Sequence, residues 1–525
     1  MTAQRRWIFI IILLALSLIG MSALWRSTPY GLGLVNDSAT YVEGATSLLA
    51  GKGYVRISGG GEIKPITHFP PLFSLLLAGL GLVGMDLLQG ARVLITILFG
   101  VDILLAGLCV YKIGHSMGFA VFGALLLAVS DLHLGVYSFA LSEPLFITLL
   151  LAAFLCLGQS FDRPHWNWQV LTGLLLSLAY LTRYAGASLF VTAALVMILL
   201  KPSKIIKPAG FIFAGALPPI LAWLFYGLAT SGPGALGNRQ LLWHPLPIKT
   251  LFEALKNLLT WIAPNDLLAA GSFWGQALSL LSLLLLPTLI AWLVWAVWHR
   301  ISLTRQKEKL GGRFTLVFTQ VVHILIYLGF LVVSLTIFDA STPLNDRILS
   351  VIYVPEIILF SGGMAWLWNR FSGRMAVLRW ALAAFCLSLA LFNVKDGYAA
   401  MLQLGREGQG FAHRGISGSP SIQAIRLMRP TVIYSNKPGA IFLLTGKPSY
   451  VAPTPMDPVT GQDRSNFSGD LAQMQQRVQD GQAILVLFGL RNSLDPEEVD
   501  LFSALVNDLN LQADYGDIVI YGASP

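Results

Sequence analysis

The sequence predicts a polytopic α-helical membrane protein that ends in a small α/β domain. Three observations lead there. Hydrophobic residues make up 55% of the 525 and charged residues 12%, with a mean hydropathy of +0.67; a soluble chain of this size needs about 25% charged residues to cover its surface. Apolar runs of bilayer length recur from Trp7 to about residue 394. After Asn393 glycine and polar residues rise, and short β-like runs alternate with helical ones. The expected domains are residues 1–394, in the membrane, and 395–525, a soluble α/β domain outside the cytoplasm.

Taken in order, Arg5 and Arg6 precede an apolar run from Trp7 to about Leu24. It is longer than the ~7–15 residue core of a signal peptide, so a retained helix with a cytoplasmic amino terminus is expected. Phe69 to Met85 opens with two prolines and is shorter than the ~20 residues a span needs. Charge parity decides its fate. With this segment in the interface, spans near 90–113, 117–132, 141–158, 168–182, 185–200, 209–229, 272–298, 314–338, 348–368 and 375–394 place Lys201, Lys204 and Lys207 in the cytoplasm. The cluster from His299 through Arg313 falls there too, in accord with the positive-inside bias. About 11 spans and an outside carboxyl terminus follow, in the plasma membrane.

The formal charge of +8 is uneven: residues 395–525 hold ten Lys/Arg and thirteen Asp/Glu, so the basic excess belongs to the membrane part. It anchors inner loops at a lipid surface and does not indicate nucleic acid. Cys109, Cys156 and Cys386 lie apart within apolar runs and read as packing residues. The eight histidines show no ligand spacing, so no metal residues are assigned. No cofactor follows from the sequence, and dependence on a divalent cation stays open. There is no Gly-x-Gly-x-x-Gly or Walker loop.

Residues 26–71 form the first outer loop. Asp37-Ser-Ala-Thr-Tyr41 starts a helix to about Ala50, with Tyr41, Ala45, Leu48 and Leu49 on one apolar face; such a helix lies flat on a membrane. Asp37 is either its N-cap or a carboxylate with chemistry to do. Gly51-Lys-Gly53-Tyr54 ends the helix, and His68-Phe69-Pro70-Pro71 opens the next apolar run. Asp102 sits mid-span and must face the bundle interior, opposite Arg183 or a hydroxyl. Ser142-Glu143-Pro144 begins a span, where an acid also suits the helix dipole. Arg183, in Leu-Thr-Arg-Tyr-Ala-Gly, either snorkels or offers a forked donor set to a phosphate. Asp346-Arg347 followed by Tyr353-Val-Pro355 heads a later span; a surface ion pair there is worth only ~0–1 kcal/mol. An outer loop over 230–268 carries Trp243 and a helix near Thr250 to Trp261.

The pattern of Asp37, Gly-Lys-Gly-Tyr and His-Phe-Pro-Pro resembles the first outer loop of GT-C membrane glycosyltransferases, in the branch holding the protein O-mannosyltransferases and the lipid A aminoarabinose transferase. Leu-Thr-Arg-Tyr-Ala-Gly and the Asp-Arg-x-Leu with Tyr-x-Pro resemble phrases of the same families. The resemblance implies an inverting transfer from a polyprenyl-phosphate-linked sugar to a lipid, polysaccharide or protein acceptor on the outer face. It implies Asp37 as general base with Glu43 as fallback, since many members carry Asp-Glu where this chain has Asp37-Ser38. Arg183 and Arg347 are the implied holders of the lipid phosphate, and His68, Glu143, Asp346 and Tyr353 the implied substrate contacts. The alternative is a secondary transporter or lipid flippase with a non-catalytic outer domain, but no repeat is visible and charge is sparse at the midplane.

Overall fold

The computed structural model describes residues 3–56, 63–200, 206–231, 243, 245–246, 248–259, 273–305, 311–338, 344–371, 376–428, 432–456, 463–489 and 496–523. Lys201, Lys204, Lys307, Lys309 and most of the 230–268 loop lie outside them. The membrane part runs α1 (Ala3–Ser27), α2 (Asn36–Leu49), a short β1–β2 ribbon (Val55–Arg56 and Lys64–Pro65), α3 (Leu72–Leu82), α4 (Leu87–Gly114), α5 (Met117–Val129) and α6 (Asp131–Tyr137). It continues through α7 (Glu143–Asp162), α8 (Trp166–Thr182), α9 (Ala187–Leu200), α10 (Ile206–Ser231), α11 (Ile248–Asn257), α12 (Phe273–Arg305), α13 (Gly312–Ile337), α14 (Asp346–Arg370) and α15 (Ala376–Glu407).

Among the described residues seven helices are long and apolar enough to cross a bilayer, or eight if α5 and α6, bent by 56°, make one span. The chain is a multi-pass membrane protein. A count near eleven needs α8 and α9, at 17 and 14 residues, and the 33-residue α12 as well. α3, at 11 residues, is about 16 Å long, half the ~30 Å of a hydrocarbon core. Its Leu82 and Val83 are more than three-quarters exposed, as suits a helix lying at a lipid surface. The chain then turns at Gly84 (φ +85°), and Asp86 caps α4 by accepting from the N–H groups of Leu88 and Gln89 (both 3.0 Å).

With no hydrophobic drive between helices in lipid, small residues govern approach. Gly173 on α8 and Gly215 on α10 sit reciprocally against each other's backbones, at Ile212 and Val170, where a Cβ has no room. α7, the most enclosed of the long helices, carries charge at both tips. Asp162 meets Lys112 of α4 (3.2 Å) and the first N–H of α13, while Glu143 is thirty ångströms away at the other end, ~1.5 Å per residue along the axis. Asp102 finds a hydroxyl as its partner: Tyr137 donates to it (2.7 Å), and Arg183 is occupied elsewhere.

The carboxyl-terminal domain adds α16 (Arg414–Ser417), α17 (Pro420–Leu427), β3 (Val432–Ser435), α18 (Pro438–Thr445), β4 (Tyr450–Val451), α19 (Phe467–Gln479), β5 (Ala483–Phe488), α20 (Pro496–Val506), β6 (Asn510–Asp514) and β7 (Ile518–Gly522). The sheet order is β4-β3-β5-β7-β6, parallel through β4, β3 and β5, then antiparallel. Period-2 alternation divides the strands between two cores. Ile433, Val486 and Phe488 face α17 and α18, whereas Tyr434, Leu485 and Leu487 face α19 and α20. The result is three layers. The boundary expected at 394/395 falls inside α15, which continues as one helix for thirteen more residues. The domain returns to the membrane part: the N–H of Phe411 donates to Leu34 (2.8 Å), and Gly439 at the start of α18 abuts Ala39 and Asn36 of α2.

Candidate functional site

Four chain segments bring charged side chains to one point, and local backbone chemistry explains each placement. At the start of α2 the Ser38 hydroxyl accepts from the N–H of Val35 (3.1 Å), the reach-back half of a capping box. Asp37 is therefore not the cap, and its carboxylate is available to other partners. Asn345 caps α14 by accepting from the N–H of Ile348 (3.3 Å), which puts Arg347 in the first turn. Ser142 precedes α7 but makes no cap bond; its hydroxyl is shared between the Tyr41 hydroxyl (2.8 Å) and Arg183 Nη1 (3.2 Å). Arg183 is the extended residue between α8 and a single 3-10 turn (Tyr184–Gly186). Gly186 permits that break because it lies against the Tyr180 backbone, where a side chain does not fit.

The four side chains form a chain of alternating charge. Arg183 Nη1 lies 2.9 Å from Glu143 Oε1, Arg347 Nε donates to the same oxygen at 2.5 Å, and Arg347 Nη2 forms a close ion pair with Asp37 Oδ2. The Glu143 side chain is 1% exposed, Arg183 17%, and Arg347 and Asp37 28% each. A carboxylate that buried persists only when paired, and here two guanidiniums share it. Each guanidinium has five N–H donors. The contacts above engage only Nη1 of Arg183 and Nε and Nη2 of Arg347, so among the described residues donors on both remain without a protein partner. Two converging cations with spare donors, partly open to solvent, make a site for an anion.

The other expected residues surround this cluster at varying range. Asp346 accepts from the Tyr353 hydroxyl two turns along α14 (3.1 Å) and does not pair with Arg347. His68 is exposed, edge-on to Phe69, whose ring packs on Tyr41. Glu43 is buried on α2, about 9 Å beyond Asp37 along the axis. Tyr41 and Ser142 join the cluster although neither was singled out from sequence for it. The usable signals were the i, i+4 spacing of Tyr41 from Asp37 and the position of Ser142 beside Glu143. Burial raises the Tyr41 phenol well above its ordinary value, against the opposing pull of Arg183, so it stays protonated and can donate. No group of three or more His, Cys, Asp or Glu among the described residues is placed to hold a metal.

The Gly-Lys-Gly-Tyr phrase shapes the loop wall. Gly51 and Gly53 take φ of +70° and +81°, a region L side chains avoid. The turn delivers Tyr54 into the bundle, where its N–H donates to the Tyr226 hydroxyl (2.6 Å) and its own hydroxyl donates to the Phe69 and Pro70 carbonyls (3.3 Å each). Tyr184, next to Arg183, donates to the Thr67 carbonyl (2.8 Å). A wholly apolar cavity of about 260 Å³ lies beside this wall, between Leu48, Tyr54, Leu181 and Trp223. A cavity of about 600 Å³ with a mixed polar and apolar lining lies on the Arg347 side, bounded by Asp131, Asn345, Arg347 and residues 392–404 of α15.

Comparison with known proteins agrees with this architecture. Residues 89–210, which include Glu143 and Arg183, match the family described as dolichyl-phosphate-mannose-protein mannosyltransferase. ArnT from Cupriavidus metallidurans in the apo state superposes over 100% of both chains at TM-score 0.54 and 14% identity, and its form bound to undecaprenyl phosphate does so at 0.53 and 13%. The archaeal oligosaccharyltransferase AglB from Archaeoglobus fulgidus, in complex with an inhibitory peptide and a dolichol-phosphate, matches at TM-score 0.54 and 11% identity over 96% of this chain and 71% of its own. No curated protein matches in sequence. The chain thus has the fold of these GT-C membrane glycosyltransferases, and its residues 89–210 are similar in sequence to the dolichyl-phosphate-mannose-protein mannosyltransferase family.

Proposed function

We propose that the protein is an inverting glycosyltransferase that moves a sugar from a polyprenyl-phosphate donor to an acceptor hydroxyl on the outer face of the membrane. The observation that carries this reading is the convergence of Arg183 and Arg347 on Glu143, with Asp37 held at the edge by Arg347. Arg183 and Arg347 hold the donor phosphate through their spare N–H groups, and Glu143 fixes both guanidiniums in place. The polyprenyl chain leaves this point along the apolar cavity, since Leu181 at its wall is two residues from Arg183.

Asp37 then acts on the acceptor. Its carboxylate takes the proton as the acceptor oxygen bonds to the anomeric carbon, and the carbon–oxygen bond to phosphate breaks with its electron pair leaving on the phosphate oxygen. The two guanidiniums stabilise the charge that develops there. Arg347 is shared between Glu143 and Asp37; a donor phosphate competes for Arg347 and frees Asp37 for the acceptor. Donor binding thereby arms the base. Mannosyl, arabinosyl or other sugars are alternatives that the donor pocket decides. The supporting parallels are undecaprenyl phosphate in one structural relative and dolichol-phosphate in another.

The test is binding of undecaprenyl phosphate to the purified full chain in nanodiscs, followed by native mass spectrometry. Arg183→Lys and Arg347→Lys, which lose the forked donors while keeping charge, are expected to weaken it about ten-fold each. Unchanged binding in both variants refutes the assignment of these residues.

A further inference from the structure

The cavity on the far side of Arg347 carries a cluster of polar side chains. At about 600 Å³ it is within the ~300–1,000 Å³ of small-molecule sites. Its walls come from α6, the head of α14, the outer end of α15 and the connector to the carboxyl-terminal domain. Four carboxamides line it: Asn345, Asn393, Gln403 and Gln409. Three carboxylates, Asp131, Asp346 and Asp396, join them, with the rings of Phe139 and Phe392. Its lining sets one cation, Arg347, against these three carboxylates.

Several of these groups have bonding capacity left. Asn345 uses its carbonyl as a helix cap, and Asn393 uses its amide N–H on the Leu389 carbonyl (2.9 Å). Gln409 accepts from Ser138 (3.0 Å), leaving its N–H₂. Gln403 makes no hydrogen bond among the described residues and is exposed. Carboxylates and carboxamides set around aromatic faces match a ligand with many hydroxyls, each both donor and acceptor, and apolar ring faces. The excess of carboxylates repels an anion, so a phosphorylated or carboxylated ligand is disfavoured.

We propose that this cavity is the acceptor subsite and that it takes the end of an uncharged or amine-bearing oligosaccharide. The assignment rests on the glycosyltransferase reading, in which the donor lipid occupies the apolar cavity at the Arg183 side and leaves the Arg347 side for the acceptor. An acceptor hydroxyl entering from here reaches Asp37 past Arg347, the residue that borders both places.

Saturation-transfer NMR on the full chain in nanodiscs tests the idea with four probes: maltotriose, a glucosamine trisaccharide, a maltotriosyl phosphate and an uncharged Ser/Thr hexapeptide. The two uncharged or cationic saccharides are expected to give signal, at least five-fold above the phosphate and the peptide. Ala400→Trp, on the cavity wall, fills the space and abolishes that signal; Gln403→Phe, at an exposed position, does the same without a folding burden. Asp396→Lys reverses the preference toward the maltotriosyl phosphate. Strongest binding by the peptide or the phosphate in the wild type, or saccharide signal indifferent to both filling variants, overturns the proposal. Release of polyprenyl phosphate from a donor panel is measured in parallel. Saccharide seated in the cavity with no release from any donor would sink the transferase reading and leave the cavity's ligand class standing; release without saccharide binding would do the reverse.

Discussion

Glu143→Gln is the sharpest perturbation of the cluster, because it keeps size and shape and removes one charge from the centre. Wild-type Glu143 accepts from Arg183 at 2.9 Å and from Arg347 at 2.5 Å, both on Oε1, with 1% of its side chain exposed. Breaking a buried pair by removing one partner costs about 3–5 kcal/mol, since an uncompensated charge remains. Here the abandoned partners are 17% and 28% exposed, and Asp37 still pairs with Arg347. Partial solvation lowers the expected cost to about 2–3 kcal/mol. The assay is unfolding of the detergent-solubilised chain in a double-mutant cycle of Glu143→Gln with Arg183→Gln. A coupling near 2 kcal/mol is expected, because either change alone leaves a charge without its partner and the pair removes both. Coupling below ~0.5 kcal/mol refutes the view that these side chains act as one unit.

Other consequences are independent of that cycle. Gly53→Ala forces a Cβ into φ +81° beside the Tyr226 hydroxyl, and should cost roughly 1–2 kcal/mol of stability in the same unfolding assay. Gly439→Val wedges α18 away from Asn36 and Ala39, and so should lower turnover several-fold through displacement of α2 while donor-lipid affinity stays near wild type. Burial raises the Tyr41 phenol from an ordinary value near 10. Its contribution to stability is therefore complete below pH 10 and lost as pH rises through the raised value. Unfolding followed from pH 9 to 11.5 should show that alkaline loss in the wild type and a smaller loss in Tyr41→Phe.

Much of this was legible in the sequence, for identifiable reasons. Long apolar runs fixed most of the helices, and the two prolines and short length of Phe69 to Met85 foretold that α3 stops short of a span. In the carboxyl-terminal domain the alternation of short β-like and helical runs after Asn393 was visible as an α/β pattern. β6 was not: Asn-Leu-Gln-Ala-Asp is a polar edge strand that exists because β7 offers it a ladder. The end of α15 was also missed, since polar residues after Asn393 look like a change of domain when they are one face of a continuing helix turned toward the cavity beside Arg347. Asp37, Glu143, Arg183 and Arg347 were legible one by one. That Arg347 binds both carboxylates was not, because residues 37, 143 and 347 meet only through tertiary packing. Of the two readings open for Asp37, the cap is excluded: Val35 holds the N-cap position of α2 and its N–H is taken by Ser38.

The central claim is that Asp37 takes the acceptor proton in a sugar transfer from a lipid phosphate. The purified full chain, given a panel of polyprenyl-phosphate sugars and a crude acceptor extract, should release polyprenyl phosphate from one of them. Asp37→Asn should lower that release by about 10²–10⁴-fold, the range of general base catalysis, while leaving undecaprenyl phosphate binding intact. Release that survives Asp37→Asn at wild-type rate would contradict the account.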